Sequence, residues 1–414
     1  MDRRHIFMRR LTVAALCVTI AGCTTRPEGT LIPVPHTVPG ATIVNMLAFS
    51  TREPSMQPGV VFSNARGTAL SLDNVLVSVP PSDQREIGSL VYPTKGNANP
   101  QTEFAVVARG PVTADQAQGW FEHSQGDANG ELLIFVHGFN TRYEEAVYRF
   151  AQLVHDADIK AAPVLFTWPS RGSVFDYLYD RESANYSRDA LEATIAAAVD
   201  APEVTNITIM SHSMGGWLTM EALHQSAVRN GGLSPKISNV ILAAPDVDVD
   251  VFDQQLSEID TKHTQFTIFT SVDDRALQLS RGLAGGVTRL GLLDIDAPEV
   301  KRMAENRGVT MIDLSSEKSD SALNHSRFAS SPEAVRLIGQ RLIEGQTLTD
   351  ARPTLDETLS ATAVGTLRTV GSTVGVAASV PGALVSDQGR DELGKHIGTM
   401  RGTFSGTIKT VTGP

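Results

Sequence analysis

A serine at position 213 stands where a short apolar run turns into a helical pattern. The run Ile207–Met210 is apolar and rich in β-branched residues, which is typical of a buried parallel strand. From Met214 onward apolar residues recur at helical spacing, with Gly215 and Gly216 in the first turn. A serine at such a corner is held in a strained turn with its hydroxyl exposed and the next backbone N–H available to an oxyanion. The pattern predicts a nucleophile at Ser213 and an oxyanion donor at the amide of Met214.

This corner departs in one position from the usual pattern G-x-S-x-G. Here it reads Ser211-His212-Ser213-Met214-Gly215, so that serine replaces the first glycine. Small residues are needed because strand and helix approach each other closely, and serine is small although it carries a Cβ. A serine-rich turn without chemistry is the alternative interpretation, and the segments around it favour the catalytic one.

A second turn upstream supplies the other oxyanion donor. The buried-strand run Glu131–Val136 ends at His137, and Thr141 with Glu144 forms a capping box that predicts the start of a helix. Such a turn places a backbone N–H, that of Phe139, opposite the serine corner. Each preorganised donor of this kind contributes roughly 10²–10³ in rate. We expect the side chain of His137 to hydrogen-bond only within the loop.

The remaining groups of a serine nucleophile lie downstream in a suitable order. A nucleophilic serine needs an imidazole to take its proton, and the imidazole needs a carboxylate to fix its tautomer. Asp274 follows the predicted strand Gln265–Thr270, and His325 lies in the loop after the predicted strand Val309–Leu314. We assign His325 as the base and Asp274 as the acid, with a surface-loop histidine as the alternative interpretation.

Two other aspartates compete for the acid role. We prefer Asp274 to its neighbour Asp273. Asp246, which follows the predicted strand Val240–Ala243, is the alternative acid, because some proteins with this order of groups place the acid one strand earlier. Each of the three also has an ordinary interpretation as a solvated loop aspartate.

Together these segments resemble the α/β-hydrolase superfamily and, within it, a bacterial family of uncharacterised esterase- and lipase-like proteins. The resemblance implies an α/β-hydrolase fold, a mostly parallel twisted sheet with helices on both faces, and a serine-hydrolase scaffold without a stated substrate. In that family a small residue other than glycine commonly opens the serine corner, which accommodates Ser211. The segments that carry the resemblance are Ser50–Arg52, Phe62–Gly67, Phe135–Thr141, Leu165–Arg171, Tyr179–Ala184, Ser211–Gly215, Ala244–Val247 and Asp274–Leu277.

The N-terminus has the pattern of a bacterial lipoprotein signal. Four arginines lie among the first ten residues, and the apolar segment Leu11–Ile20 is too short to span a membrane. It ends in a sequence that resembles the lipobox, so we predict removal of residues 1–22 and lipidation of Cys23. Thr24 in place of aspartate predicts the outer membrane, on its periplasmic face. A start at Met8 and twin-arginine export are the alternatives left open.

Composition excludes several classes of function. Cys17 leaves with the signal and Cys23 is acylated, so cysteine catalysis and thiolate metal sites are excluded. The signal carries four arginines and one aspartate, so its removal changes the formal charge from −11 to −14, which argues against nucleic acid as a partner. The ten histidines show no paired metal-ligand spacing. We therefore expect no metal and no other cofactor.

Three regions follow the signal. Residues 23–42 contain four prolines and are interpreted as a tether, and residues 43–345 as one α/β-hydrolase domain. Strands near residues 42–47 and 75–79 are expected to add antiparallel pairing at one sheet edge. Residues 346–414, rich in Gly, Ser, Thr and Val, are interpreted as a flexible tail, with a membrane or partner contact as the alternative.

Aromatic residues mark a possible substrate pocket. Trp168, Phe175 and Tyr179 follow the strand that begins at Pro163, and ligands of open parallel sheets bind beyond the carboxyl ends of the strands. Ordinary packing of a long connection is the competing interpretation.

The sequence thus predicts a lipid-anchored carboxylesterase or lipase-like serine hydrolase that works through an acyl-enzyme. Its partners would be a small-molecule or lipid ester and the membrane that holds its anchor. A thioesterase, amidase or acyltransferase would use the same residues. A non-catalytic envelope lipoprotein that binds or scaffolds is the alternative from a different class.

Overall fold

The computed structural model describes residues 26–57, 59–93, 98–259, 261–319, 321–343 and 368–370. The predicted signal at residues 1–22 and the predicted lipidation site Cys23 lie outside these ranges. So does the tail at residues 346–414, apart from residues 368–370.

A single ten-stranded sheet runs through the described chain. Its strands in chain order are β1 (Thr42–Pro54), β2 (Phe62–Val79), β3 (Ala105–Pro111), β4 (Glu131–Val136), β5 (Ala162–Thr167), β6 (Asn206–His212), β7 (Ile237–Ala243), β8 (Gln265–Thr270), β9 (Val309–Asp313) and β10 (Arg368–Val370). Across the sheet they follow the order β10-β9-β8-β7-β6-β4-β5-β1-β2-β3. The strands from β9 to β1 are parallel, whereas β2, β3 and β10 pair antiparallel at the two edges.

The antiparallel edge predicted from the sequence is present, with one difference. β2 pairs antiparallel with β1, as expected. β1 itself lies parallel to β5, with Leu47 opposite Val164, so it belongs to the parallel part of the sheet.

Helices cover both faces of this sheet. They are α1 (Ala114–Ala128), α2 (Tyr143–Asp156), α3 (Tyr177–Asp200), α4 (Met214–Asn230), α5 (Val249–Ser257), α6 (Arg275–Leu283), α7 (Pro298–Arg307), α8 (Arg327–Ser330) and α9 (Pro332–Ile343). None of the helices in the described ranges combines the length and the apolar composition that crossing a bilayer requires.

The two faces of the sheet carry separate cores because successive strand residues point to opposite sides. In β4, Ile134 packs in the core that contains Leu218 of α4. Its neighbour Phe135 packs in the core that contains Phe150 of α2, and the two rings stack with centroids 5.2 Å apart. The predicted fold class, a mostly parallel sheet with helices on both faces, is confirmed.

The start of α2 lies one residue later than the sequence pattern indicated. Arg142 caps the helix, and its backbone N–H donates to Oε2 of Glu145 at 2.8 Å, so the predicted capping box of Thr141 and Glu144 is wrong. Glu144 instead accepts from the backbone N–H of Gly29 at 3.2 Å. A contact with a neighbouring segment of the chain thus holds the start of the helix. The spacing of apolar residues in the sequence gives no sign of such a contact.

That neighbouring segment belongs to the region interpreted as a tether. Leu31 is only 2% exposed and lies in the core beneath α2. The hydroxyl of Tyr148 donates to the carbonyl of Thr30 at 2.8 Å, and the amide of Val34 donates to the carbonyl of Val106 at 2.8 Å. Residues 26–34 are therefore docked on the domain rather than acting as a free spacer.

Candidate active site

Ser213 occupies the corner between β6 and α4 in a conformation that L residues rarely adopt. Its φ is 54° and its ψ is −123°. Such backbone strain costs about 1–3 kcal/mol and persists only where the surroundings enforce it. Here the amide of Ser213 donates to the carbonyl of Ala243 at 3.0 Å, and its carbonyl accepts from Gly216 at 2.9 Å and Asp246 at 3.1 Å. The predicted strand, turn and helix around this serine are all present.

Two glycines allow the corner to meet the turn after β4. A Cβ on Gly215 would lie 2.4 Å from the carbonyl oxygen of His137, and one on Gly138 would lie 2.9 Å from the Cβ of Ser213. Only glycine fits at either place. The turn that begins at His137 therefore lies directly against the serine corner.

The two amides assigned to the oxyanion hole belong to these adjoining segments. Phe139 follows Gly138 in the turn, and Met214 is the first residue of α4. Their role as oxyanion donors stays a prediction.

His325 and Asp274 form a direct hydrogen bond. Nδ1 of His325 donates to Oδ2 of Asp274 at 2.7 Å, and Asp274 is fully buried. The other carboxylate oxygen, Oδ1, accepts from the amide of Leu277 at 3.0 Å and caps α6. Both carboxylate oxygens of Asp274 therefore accept hydrogen bonds. The bond to Nδ1 fixes the orientation of the imidazole and leaves Nε2 as the nitrogen that can exchange a proton.

The electrostatic surroundings of His325 favour its protonated form. Burial by itself would lower the pKa of His325, but the negative charge of Asp274, the hydrogen bond to it and the negative charge of Asp246 together raise this pKa above its usual value. Raising the pKa of a base makes it a better proton acceptor, which suits the role assigned to this histidine.

His212 brings His325 to the serine corner. The ring centroids of His212 and His325 are 4.6 Å apart, and Nε2 of His212 donates to the carbonyl of His325 at 3.1 Å. Burial, and then the charge of His325, hold the pKa of His212 well below its usual value. A neutral His212 therefore supports the base without competing for the proton. The sequence pattern does not reveal this role, although His212 lies inside the serine motif.

Asp273, the neighbour of the assigned acid, fastens the loop that carries His325. Its carboxylate accepts from Nη2 of Arg327 at 2.9 Å, from Nδ2 of Asn324 at 3.0 Å and from the hydroxyl of Ser271 at 2.8 Å. The hydrogen bonds from Arg327 lower the pKa of Asp273 to about 2. Asn324 and Arg327 flank His325, so the carboxylate of Asp273 positions the loop that carries this histidine. The sequence pattern does not reveal this role.

Asp246, the alternative acid, is engaged elsewhere. Its carboxylate accepts from the hydroxyl of Tyr177 at 3.0 Å and from that of Ser280 at 2.6 Å, and it lies 3.2 Å from Nε of Arg289. Burial, and then the charge of Asp246, raise the pKa of Tyr177 to about 12. Asp246 therefore forms a buried polar cluster beside the corner while Asp274 contacts His325.

The side chain of His137 links the turn after β4 to the end of β5. Nδ1 donates to the carbonyl of Gly138 at 2.9 Å, and Nε2 accepts from the amide of Trp168 at 3.1 Å. Burial, and then the charge of Arg52, lower the pKa of His137 to about 3, so the ring is neutral. The expectation that this side chain binds only within its own loop is wrong, because it also joins two strand ends.

A buried arginine orders the same loops. Arg52 donates from Nε to the hydroxyl of Thr167 at 2.9 Å and from Nη2 to the carbonyl of Thr141 at 2.8 Å. A third donation, from Nη1, reaches the carbonyl of Ser170 at 3.1 Å. Burial lowers the pKa of Arg52 to about 10, which leaves it charged at neutral pH. Five N–H donors on one rigid group explain why arginine stands here.

The three aromatic residues assigned to a possible substrate pocket have different surroundings. Trp168 has no exposed surface, stacks on His137 and donates from Nε1 to the carbonyl of that residue at 2.8 Å. Phe175 is 96% exposed, and Tyr179 is stacked by the guanidinium of Arg171 at 3.6 Å. For Trp168, which fills the interior behind the turn, the competing interpretation of ordinary packing is right. Phe175 is exposed and Tyr179 is partly buried, and a role for these two in binding substrate stays a prediction.

Fold and site together define an α/β hydrolase. The chain belongs to the family described as alpha/beta hydrolase of unknown function (DUF900), whose model matches residues 113–341, more than half of the chain. No curated protein matches it. Among solved structures it is similar to a fungal esterase from Rhizomucor miehei, with 13% identity and a TM-score of 0.31, over 80% of this chain and 95% of that one.

Proposed function

We propose that the chain is a serine hydrolase that cleaves carboxylic esters, with Ser213 as nucleophile, His325 as general base and Asp274 as the group that orients it. The observation that carries this proposal is the 2.7 Å hydrogen bond from Nδ1 of His325 to Asp274, at the edge of the sheet where Ser213 lies in its strained corner. A buried carboxylate on Nδ1 fixes the tautomer that leaves Nε2 able to take a proton.

The reaction follows from these roles. Oγ of Ser213 attacks the ester carbonyl while its proton passes to Nε2 of His325, and the oxyanion is held by the amides of Phe139 and Met214. The intermediate collapses as His325 gives that proton to the departing alcohol, which leaves an acyl-enzyme on Ser213. Water then loses a proton to His325 and attacks the acyl carbon, and the carboxylic acid is released as Ser213 regains its proton. A thioester or an amide would follow the same steps with a different leaving group.

Labelling with a fluorophosphonate probe tests the nucleophile. We expect the wild-type protein to react covalently and Ser213→Ala to lose the reaction entirely, because the probe captures an activated serine. Ser211→Ala is the matched control. The hydroxyl of Ser211 is buried two residues away and has no hydrogen-bond partner within the described residues, so its removal should leave labelling intact. Labelling that survives in Ser213→Ala, or that disappears in both variants, would refute the assignment.

The proposal includes a lipid anchor at Cys23 in the bacterial cell envelope, at the periplasmic face of the outer membrane. The arginine-rich start, the short apolar segment and the small residues before Cys23 support it. Cells fed a labelled fatty acid are expected to transfer label to the wild-type chain and not to Cys23→Ser. Label retained in that variant would exclude this cysteine as the attachment site.

A further inference from the structure

Several large apolar side chains are exposed in the segments that follow the parallel strands near the site. We define the apolar rim as Phe175, Leu178, Val272, Leu279, Leu283 and Leu323. Leu178 is 74% exposed, Leu279 61% and Leu283 59%. Scattered single exposed hydrophobic residues are normal, whereas a contiguous group marks a surface that contacts something apolar.

The rim residues follow the same ends of the parallel strands as the serine corner. Its members lie in the segments that follow the carboxyl ends of β5, β8 and β9, and Ser213 follows β6, which lies between β5 and β8 in the sheet. The start of α3 and the middle of α6 are joined by the hydrogen bond between the hydroxyls of Tyr177 and Ser280 at 2.9 Å. The start of α6 is joined to the loop after β9 by the amide of Arg275, which donates to the carbonyl of Leu323 at 2.9 Å. Hydrogen bonds therefore join the three segments that carry the rim.

The charge of α6 is opposite to that of the chain. The segment from Arg275 to Arg289 contains three arginines and no Asp, Glu or Lys, in a chain of net charge −11. Arg289 is buried against Asp246, but Arg275 and Arg281 donate to backbone carbonyls at exposed positions. Exposed leucines beside arginines that form no ion pair within the described part of the chain are the composition with which a helix binds the interface of an anionic bilayer.

The docked N-terminal segment enters at the same edge. Arg26 donates from Nη1 to Oδ1 of Asn140 at 2.8 Å and to the carbonyl of Gly172, in the loops that follow β4 and β5. It also donates from Nε to Glu145 at 2.7 Å. Cys23 precedes Arg26 by three residues, and three residues of extended chain reach at most about 11 Å. A lipid on Cys23 would thus be held close to the edge that carries the rim.

We propose that the apolar rim and the exposed arginines of α6 seat this edge on an anionic phospholipid bilayer, and that the ester delivered to Ser213 is an acyl ester of a membrane lipid. The chemistry rests on the function proposed above, whereas the docking does not. A single acyl chain gives only marginal binding, and the rim would add apolar contact to whatever the anchor supplies. The anchor concentrates the protein at the membrane, and the rim orients the protein so that Ser213 faces the lipid.

Flotation with vesicles tests the docking without any catalysis. The processed chain that begins at residue 23, which retains every described residue, is made with Cys23→Ser so that no lipid holds it. We expect it to float with vesicles of equal parts phosphatidylethanolamine and phosphatidylglycerol, and much less with phosphatidylcholine alone. Leu279→Asp combined with Leu283→Asp is expected to lower partitioning at least about tenfold, because both apolar contacts are lost.

Val228→Asp is the matched control. Val228 is also exposed, but it lies fourteen residues after Met214 on α4, about 21 Å along that helix, away from the rim. Its variant should float like the parent, and so should Ser213→Ala, whatever the outcome of probe labelling. Equal flotation of the rim variant and its parent would overturn the proposal. The proposal would also be overturned if the parent protein did not float. This holds even if the parent self-associated through these leucines.

Discussion

Asp274→Asn is expected to lower kcat for ester hydrolysis by about 10⁴-fold. Asparagine matches the shape of aspartate, and its amide oxygen can still accept from Leu277 and cap α6. Its NH₂ group would then face Nδ1 of His325, which at present donates to Oδ2 at 2.7 Å. The imidazole would have to move its proton to Nε2, the atom that must take the proton of Ser213. Steady-state hydrolysis of p-nitrophenyl esters measures the loss, with thermal unfolding as the check on the fold.

The variant Asp246→Asn tests which of the two aspartates, Asp246 or Asp274, acts as the acid of the triad. Asp246 contacts Tyr177 and Ser280 rather than the imidazole, so turnover at alkaline pH should stay within about tenfold of wild type. The charge of Asp246 helps to raise the pKa of His325, and the base works only when it is unprotonated. Removing that charge should move the acid limb of the kcat/KM profile to lower pH. If Asp246→Asn instead abolished turnover and Asp274→Asn did not, the acid role would pass to Asp246.

The parallel strands could be predicted because burial on both faces makes them continuous apolar runs. β4 and β8 have the bounds that the sequence pattern indicated, and β6 extends the predicted run by one residue at its start and two at its end. The final helix was also predictable, since Ser331 caps it and accepts from the amide of Ala334 at 3.2 Å. Such local signals do not depend on the rest of the fold.

Other features depend on contacts between segments far apart in the chain. Proline content indicated a tether at residues 23–42, yet Leu31 is buried, because a few apolar residues interrupted by prolines carry no periodic signal. For Trp168 a substrate pocket and ordinary packing were both open, and only the contacts decide: its ring is buried and stacks on His137 in the turn after β4. Two partners of Asp273, Asn324 and Arg327, lie more than fifty residues away in the chain, so its positioning role could not be read from sequence.

Gly215→Ala is expected to destabilise the fold by about 3 kcal/mol and to lower kcat at least about 10²-fold. The new methyl group would lie 2.4 Å from the carbonyl oxygen of His137 and 2.7 Å from that of Val136. These oxygens belong to the end of β4, which is paired on both sides, so the helix rather than the strand must move. Displacing α4 would carry Ser213 away from His325. Denaturant unfolding and ester hydrolysis measure the two effects.

The adjacent glycine provides a control with the same chemical change. A Cβ on Gly216 would lie 3.2 Å from Cβ of Pro245, a contact that a small shift can relieve. Alanine also favours the helix over glycine by about 1 kcal/mol, which offsets that shift, so Gly216→Ala should stay within about 1 kcal/mol of wild-type stability and keep most of its activity. Equal losses in the two variants would mean that the helix tolerates no methyl group in its first turn. The close approach at Gly215 would then not be what positions the serine.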